Sequence, residues 1–262
     1  MFFVTKPILI YFHGSPGSRK ELDLIQGTAW CNDVEIFIPE PTEVPPNTAT
    51  AFEHIASEIK AKYPHTKVHL VGFSLGSFVA LQIAHLLGNK VESIDLISAS
   101  APLEFGNFLA KMAGRPVFEL AQKSQISLKC LIKVQAILAK HFPAQLLKML
   151  FSTATGADKA LSEDQSFQLI ITEILRDTFN KNPKPYLQNI LAYVRPWGEI
   201  IKDIHAPTTL WHGSEDNWAP YEMAEALQNT LPNAEKIEKL LGHSHYSTLI
   251  EALPKIVMRI TK

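Results

Sequence analysis

Residues 67–80, KVHLVGFSLGSFVA, constrain this chain more than any other stretch. A short β-branched run, Val68 to Val71, leads into Gly72-Phe73-Ser74-Leu75-Gly76, and a helical pattern from Phe78 to Leu87 follows at once. A serine on a strand-to-helix turn has little room, so its backbone is forced into a strained conformation. Glycines two before and two after it keep neighbouring side chains out of the way. The hydroxyl then stands at the carboxyl edge of a sheet, with the first-turn amides of the helix pointing at it. The five-residue pattern alone is common by chance; the strand before it and the helix after it give it meaning.

The same alternation runs through much of the chain. Pro7 to Phe12 is a near-continuous apolar run of strand length, stopped by His13-Gly14-Ser15-Pro16-Gly17-Ser18. Val34 to Ile38 is a second run, ended by a proline-rich loop from Pro39 to Pro46. Continuous runs of this kind suit parallel strands buried on both faces. Thr48 to Tyr63 reads as a helix, and Val91 to Ser98 as a strand. Further on, Thr208 to Trp211 and Ile237 to Leu241 are strands, and Tyr221 to Leu231 and Thr248 to Ile260 are helices.

From about Leu103 to Ile204 only helical patterns occur. Leu128, Leu131, Ile132, Ile137 and Leu138 read as one apolar face, with Lys129, Lys133 and Lys140 around it. Phe167, Ile170, Ile171, Ile174 and Leu175 read as another. The stretch is too long for a loop and is expected to be an insertion between two strands. Strands separated by helices imply a parallel sheet covered on both faces. The expected organisation is a core of residues 1–102 and 205–262, with a helical cap at residues 103–204.

A length of 262 residues suits one α/β domain with such an insertion, and 46% hydrophobic residues are enough for a full core. At a formal net charge of −1, nothing basic enough for a nucleic-acid surface stands out. No apolar run reaches the roughly 18 residues of a spanning helix. The start, MFFVTKPILIYFHG, lacks a positive region and a cleavage site, and is read as structure and not as a signal peptide. Cys31 and Cys130 lack metal-ligand spacing and are expected to be reduced thiols, which suits a cytoplasmic location.

A serine hydroxyl is a poor nucleophile near neutral pH. It needs a base within hydrogen-bond reach, an anion to orient that base, and donors aimed at the developing oxyanion. The acid candidate is Asp216, in the turn Gly213-Ser214-Glu215-Asp216-Asn217, just past a strand and before a helix. Glu215 is in reserve, and Asp95, inside a strand, is worse placed. The base is expected after the last strand, where Gly242-His243-Ser244-His245-Tyr246 holds two histidines.

With these motifs the chain resembles the α/β-hydrolase superfamily, in its serine-nucleophile branch. The resemblance covers nearly the whole chain: the His13-Gly14 turn, the serine turn at Ser74, the turn at Asp216, the late histidines and the place of the helical insertion. It implies the α/β-hydrolase fold, a mostly parallel central sheet with helices on both faces and an inserted helical cap. In that family the base sits in a glycine-histidine-aromatic turn opening the final helix. Gly242-His243 matches one half and His245-Tyr246 the other; His245 is chosen and His243 held in reserve. The resemblance also implies an oxyanion hole from the amides of Leu75 and Ser15, with His13 shaping the loop. The family usually begins with two more strands before the His-Gly turn, so a smaller sheet is expected here, with Phe2-Phe3-Val4 as a remnant.

The implied activity is hydrolysis of a carboxylic ester or thioester of a small apolar molecule through an acyl-enzyme, with no metal or organic cofactor. Phe105, Phe108, Phe118, Phe142 and Phe151 are spread through the insertion, and any that line a pocket would favour an apolar group. A ligand-binding receptor or scaffold on the same fold is the rival of another class. An acyltransferase or peptidase would share the same three residues.

Overall fold

The computed structural model describes residues 6–25, 27, 29–39 and 48–262. Phe2-Phe3-Val4 and most of the proline-rich loop lie outside the described residues. Among the described residues, six strands form one sheet, β1 (Ile8–Phe12), β2 (Glu35–Phe37), β3 (Val68–Phe73), β4 (Val91–Ile97), β5 (Thr208–Gly213) and β6 (Glu238–Leu240), in the order β2-β1-β3-β4-β5-β6. Every pairing is parallel.

The sequence runs explain this order of burial. Every residue of β1 and β5 is buried, and β3 and β4 are nearly so, as strands covered on both faces must be. The two edge strands, β2 and β6, are only three residues long and half-exposed, which limits the unpaired edge they offer. On the core, α1 (Thr48–Lys62) packs against α2 (Gly76–Leu87), α9 (Tyr221–Thr230) packs on β5, and α10 (His245–Ile260) lies along β4 and β5.

The register aligns the carboxyl ends of the strands. Phe12 pairs with Gly72, Phe73 with Ile97, Ile97 with Trp211, and Gly213 with Leu240. The residues that follow β1, β3, β4, β5 and β6 therefore gather along one edge. The chain order reverses between β1 and β3, the place where open α/β sheets leave a crevice.

Between β4 and β5 lie α3 (Arg115–Lys123), α4 (Gln125–His141), α5 (Pro143–Leu150), α6 (Gly156–Leu161), α7 (Gln165–Arg176) and α8 (Pro183–Tyr193). This insertion is tied to the core at several points. The Tyr193 hydroxyl donates to the Ala101 carbonyl at 2.9 Å, and Thr178 Oγ1 donates to the Gly17 carbonyl at 3.1 Å. Phe78 of α2 packs against the rings of Tyr193 and Trp197.

Two expectations about helices need correction. In α4 the buried face is Leu128, Ile132, Gln135 and Ala139, and Ile137 is 57% exposed. Leu128 and Ile137 are nine positions apart, which places them on opposite sides of a helix of 3.6 residues per turn. The last helix starts at His245 and not at Thr248. Its start is fixed by a capping box: Ser247 Oγ accepts from the Ser244 amide at 2.8 Å, and the Ser244 side chain accepts in return from the Ser247 amide. The buried Asp158 carboxylate of α6 also accepts from the Tyr246 and Ser247 amides, each at 2.8 Å.

Candidate active site

Ser74 sits at the end of β3 with φ 56°, in the left-handed region that a residue with a side chain rarely adopts. The turn holds it there. Its amide donates to the Ile97 carbonyl of β4 at 2.9 Å, and Ser77 Oγ donates to the Gly72 carbonyl at 3.0 Å. The flanking glycines are required by close approach. A Cβ on Gly76 would lie 2.1 Å from the Phe12 carbonyl oxygen, and one on Gly72 would lie 2.7 Å from the Gly76 carbonyl oxygen. Ser98, at the end of β4, also has positive φ, and its hydroxyl donates to the His245 carbonyl at 3.3 Å.

Asp216 follows β5 and is buried. Its Oδ1 accepts from the Trp218 and Ala219 amides, both at 2.9 Å. His245 Nδ1 lies 2.9 Å from Oδ2 and 3.1 Å from Oδ1 of the same carboxylate. Burial pushes the Asp216 carboxyl up, but the neighbouring His245, through charge and hydrogen bond, outweighs it with help from His212 and the Ala219 amide. The net effect holds Asp216 below the usual carboxylate value, so it stays ionised beside the ring.

The His245 ring is fixed from both sides. Trp218 stacks on it at 5.2 Å between centroids and 25° between planes, and Phe73, the neighbour of Ser74, packs against it at 4.9 Å. With Nδ1 given to the carboxylate, Nε2 is the nitrogen left for proton transfer. Among the described residues, no hydrogen bond joins the Ser74 hydroxyl to His245.

The reserve residues are placed elsewhere. The half-buried His243 directs Nδ1 to the Ser247 carbonyl at 3.2 Å and does not meet Asp216. The Glu215 carboxylate accepts from its neighbour Ser214 at 3.4 Å. Asp95 is buried in β4, beside β5, where it accepts from Trp211 Nε1 at 2.9 Å and from Arg259 at 2.6 Å.

Ser74, Leu75 and Ser15 line one cavity of about 280 Å³, with Trp218, Phe118 and Gln135 among the other walls. Leu75 stands at the amino end of α2, where backbone amides have no partner inside the helix. Of the five phenylalanines singled out in the insertion, Phe118 alone borders this cavity; Phe142 is 51% exposed. Gln135 is buried in the wall, and its Oε1 has no hydrogen-bond partner among the described residues.

Three further residues escaped the sequence reading. Glu21 is wholly buried beneath the loop after β1, accepting from the Tyr11 hydroxyl at 2.7 Å and from the Gly14 amide at 3.1 Å. Asp158 caps the helix that carries His245. His212, in β5, donates from Nε2 to the Ala219 carbonyl at 2.8 Å, and burial lowers its pKa. Each is a lone polar residue in an ordinary pattern, so no local signal marks it. Cys31 and Cys130 form no disulfide, and among the described residues no helix is long and apolar enough to cross a membrane.

A parallel sheet ordered in this way, with a strained serine after β3 and a buried acid–imidazole pair after β5 and β6, has the layout of an α/β hydrolase. The sequence model of the alpha/beta hydrolase fold matches residues 7–248, and the chain belongs to that family. The solved structures it resembles include an alpha/beta hydrolase enzyme from a Medee basin deep-sea metagenome library, at TM-score 0.67 and 15% identity, covering 99% of this chain and 90% of the other. A bromoperoxidase from Bacillus anthracis superposes at 0.66 with 16% identity, covering 98% and 92%. An esterase from Rhodococcus sp. ECU1013 superposes at 0.62 with 14% identity, covering 97% and 89%. At these identities the likeness is one of fold. The comparison with curated proteins found no match.

Proposed function

We propose that this protein is a serine hydrolase that cleaves carboxylic esters or thioesters through an acyl-enzyme. Ser74 attacks the carbonyl while His245 Nε2 takes its proton. Asp216 orients the imidazole and stabilises its positive charge. The amides of Ser15 and Leu75 receive the oxyanion. The protonated ring then gives its proton to the leaving group, and water activated by the same ring releases the acid. Residues 103–204 serve as the cap that shapes the substrate pocket.

The observation that carries this reading is the buried His245–Asp216 pair, 2.9 Å apart, whose ring rests on the neighbour of a serine held at φ 56°. The cavity walls are mostly apolar, which favours an apolar acyl or alkyl group. Its volume of about 280 Å³ lies at the low end for small-molecule sites, which favours a small group.

A fluorophosphonate probe tests the chemistry. Wild-type protein is expected to label, and Ser74→Ala is expected to abolish labelling and to reduce ester turnover by about 10⁴-fold or more. Folded wild-type protein that fails to label would favour the receptor reading. Rates across a series of ester chain lengths test the pocket: preference for the shortest, most polar esters would contradict the apolar assignment.

A further inference from the structure

The outer face of α4 is apolar where a solvent-facing helix is ordinarily polar. Ile126, Val134 and Ile137 are 75%, 52% and 57% exposed. At 3.6 residues per turn they fall within an arc of about 80°. Lys129, Lys133 and Lys140 form a parallel strip on one flank of that arc, and Leu131 and Gln135, which wall the Ser74 cavity, lie beyond its other flank. The apolar strip thus separates a row of cations from the pocket. Past the end of α4, Phe142 and Met149 are 51% and 63% exposed, and Met149 borders the cavity.

The charge along this stretch of the sequence is one-sided. Residues 120–157 carry Lys123, Lys129, Lys133, Lys140 and Lys148 and no Asp or Glu, in a chain whose formal net charge is −1. Among the described residues none of these lysines takes part in an ion pair. We propose that the outer face of α4 docks the protein on an anionic lipid surface. Ile126, Val134 and Ile137 enter the headgroup layer, and Lys129, Lys133 and Lys140 meet the lipid anions. An amphipathic helix with lysines beside its apolar face has the composition that lies in such an interface. A second copy of this chain fits the same face poorly, because a two-fold contact would set lysines against lysines with no carboxylate between them. Docking itself needs no catalysis, so it stands or falls separately from the hydrolase reading.

Flotation of the full chain with vesicles tests the docking. Wild-type protein is expected to bind vesicles containing one-third phosphatidylglycerol, to ignore pure phosphatidylcholine, and to be released by high salt. The triple variant Lys129→Gln/Lys133→Gln/Lys140→Gln is expected to bind on the order of 100-fold more weakly. Ile126→Ser/Ile137→Ser is expected to lose about tenfold or more, through the apolar term alone. Lys67, Lys236 and Lys262 lie at the opposite edge of the sheet, before β3, before β6 and after α10, and replacing all three by Gln is expected to leave binding intact. These positions are exposed, and thermal melts confirm that each variant is folded. Absence of wild-type binding to the anionic vesicles would overturn the proposal. So would equal loss from the far-edge triple, or a concentration-dependent dimer that the Ile126/Ile137 substitutions dissociate in protein that does not float.

Discussion

Replacing Glu21 by Gln should reshape the pH dependence of stability. Glu21 is wholly buried, and burial pushes its carboxyl from an ordinary 4.5 up to about 8, against the pull of the hydrogen bonds from Tyr11 and Gly14. The titratable groups around it are the Tyr11 and Tyr246 hydroxyls, both raised chiefly by their own burial, so neither ionises in the same window. Below pH 4.5 both folded and unfolded chains hold the Glu21 proton. Above that value the unfolded chain releases it and the folded chain keeps it, up to about pH 8. The folded state therefore binds more protons, and stability falls with rising pH by about 1.4 kcal/mol per unit from this group alone. Between pH 5 and pH 8 the loss approaches about 4 kcal/mol, the size of a large single-site effect. The side chain introduced by Glu21→Gln would stay neutral, and its amide oxygen could still accept from Gly14 and Tyr11. Urea unfolding of both proteins at pH 5, 6, 7 and 8 measures the difference. The stability of Glu21→Gln relative to wild type should climb by about 1.4 kcal/mol per unit across that range. A difference that stays constant with pH would refute the reasoning, because it would mean that Glu21 folds with an ordinary affinity for its proton.

Other expectations follow from the same contacts. His245→Ala should reduce ester turnover by about 10⁴-fold, and His243→Ala by only a few-fold, since only the first ring meets Asp216; the reverse outcome in steady-state kinetics would reassign the base. Arg259→Ala leaves Asp95 buried with Trp211 as its remaining partner and should destabilise by about 3 kcal/mol, the low end for a broken buried pair because Arg259 is part-exposed. The Asp95 carboxyl already stands at about 6 through burial, and losing Arg259 raises it further, so unfolding curves should show a larger deficit at pH 8 than at pH 5. Asp158→Ala removes the acceptor of the Tyr246 amide and leaves the Ser247 amide to Ser244 alone, and should lower urea stability by about 2–4 kcal/mol. Its turnover should fall as well, because the first turn of α10 carries His245.

What the sequence reveals and what it hides divides along a physical line. The strands β1, β3, β4 and β5 are legible because each is a continuous apolar run, and a strand buried on both faces permits little else. Ser74 and Asp216 are legible because their local turns carry their own signals: glycines where a Cβ would strike backbone, and an acid just past a strand. Between His243 and His245 the local signal is divided, since each matches half of the same turn. The structure separates them through Ser244, which places the helix start at His245, and through Asp158, which sits nearly ninety positions earlier in the chain. Glu21 is hidden for the same reason: its meaning depends on Tyr11 and Gly14 folding over it, and a glutamate in a polar loop looks unremarkable by itself. Ile137 shows the converse failure. Counting apolar residues put it inside, whereas the helical period puts it opposite Leu128, and Gln135 takes the inner place. A glutamine turned inward toward the cavity, and Ile126, Val134 and Ile137 turned outward toward water, are where α4 departs from simple amphipathic order. Such departures are costly unless something meets them, and they fall where a substrate and a surface would be met.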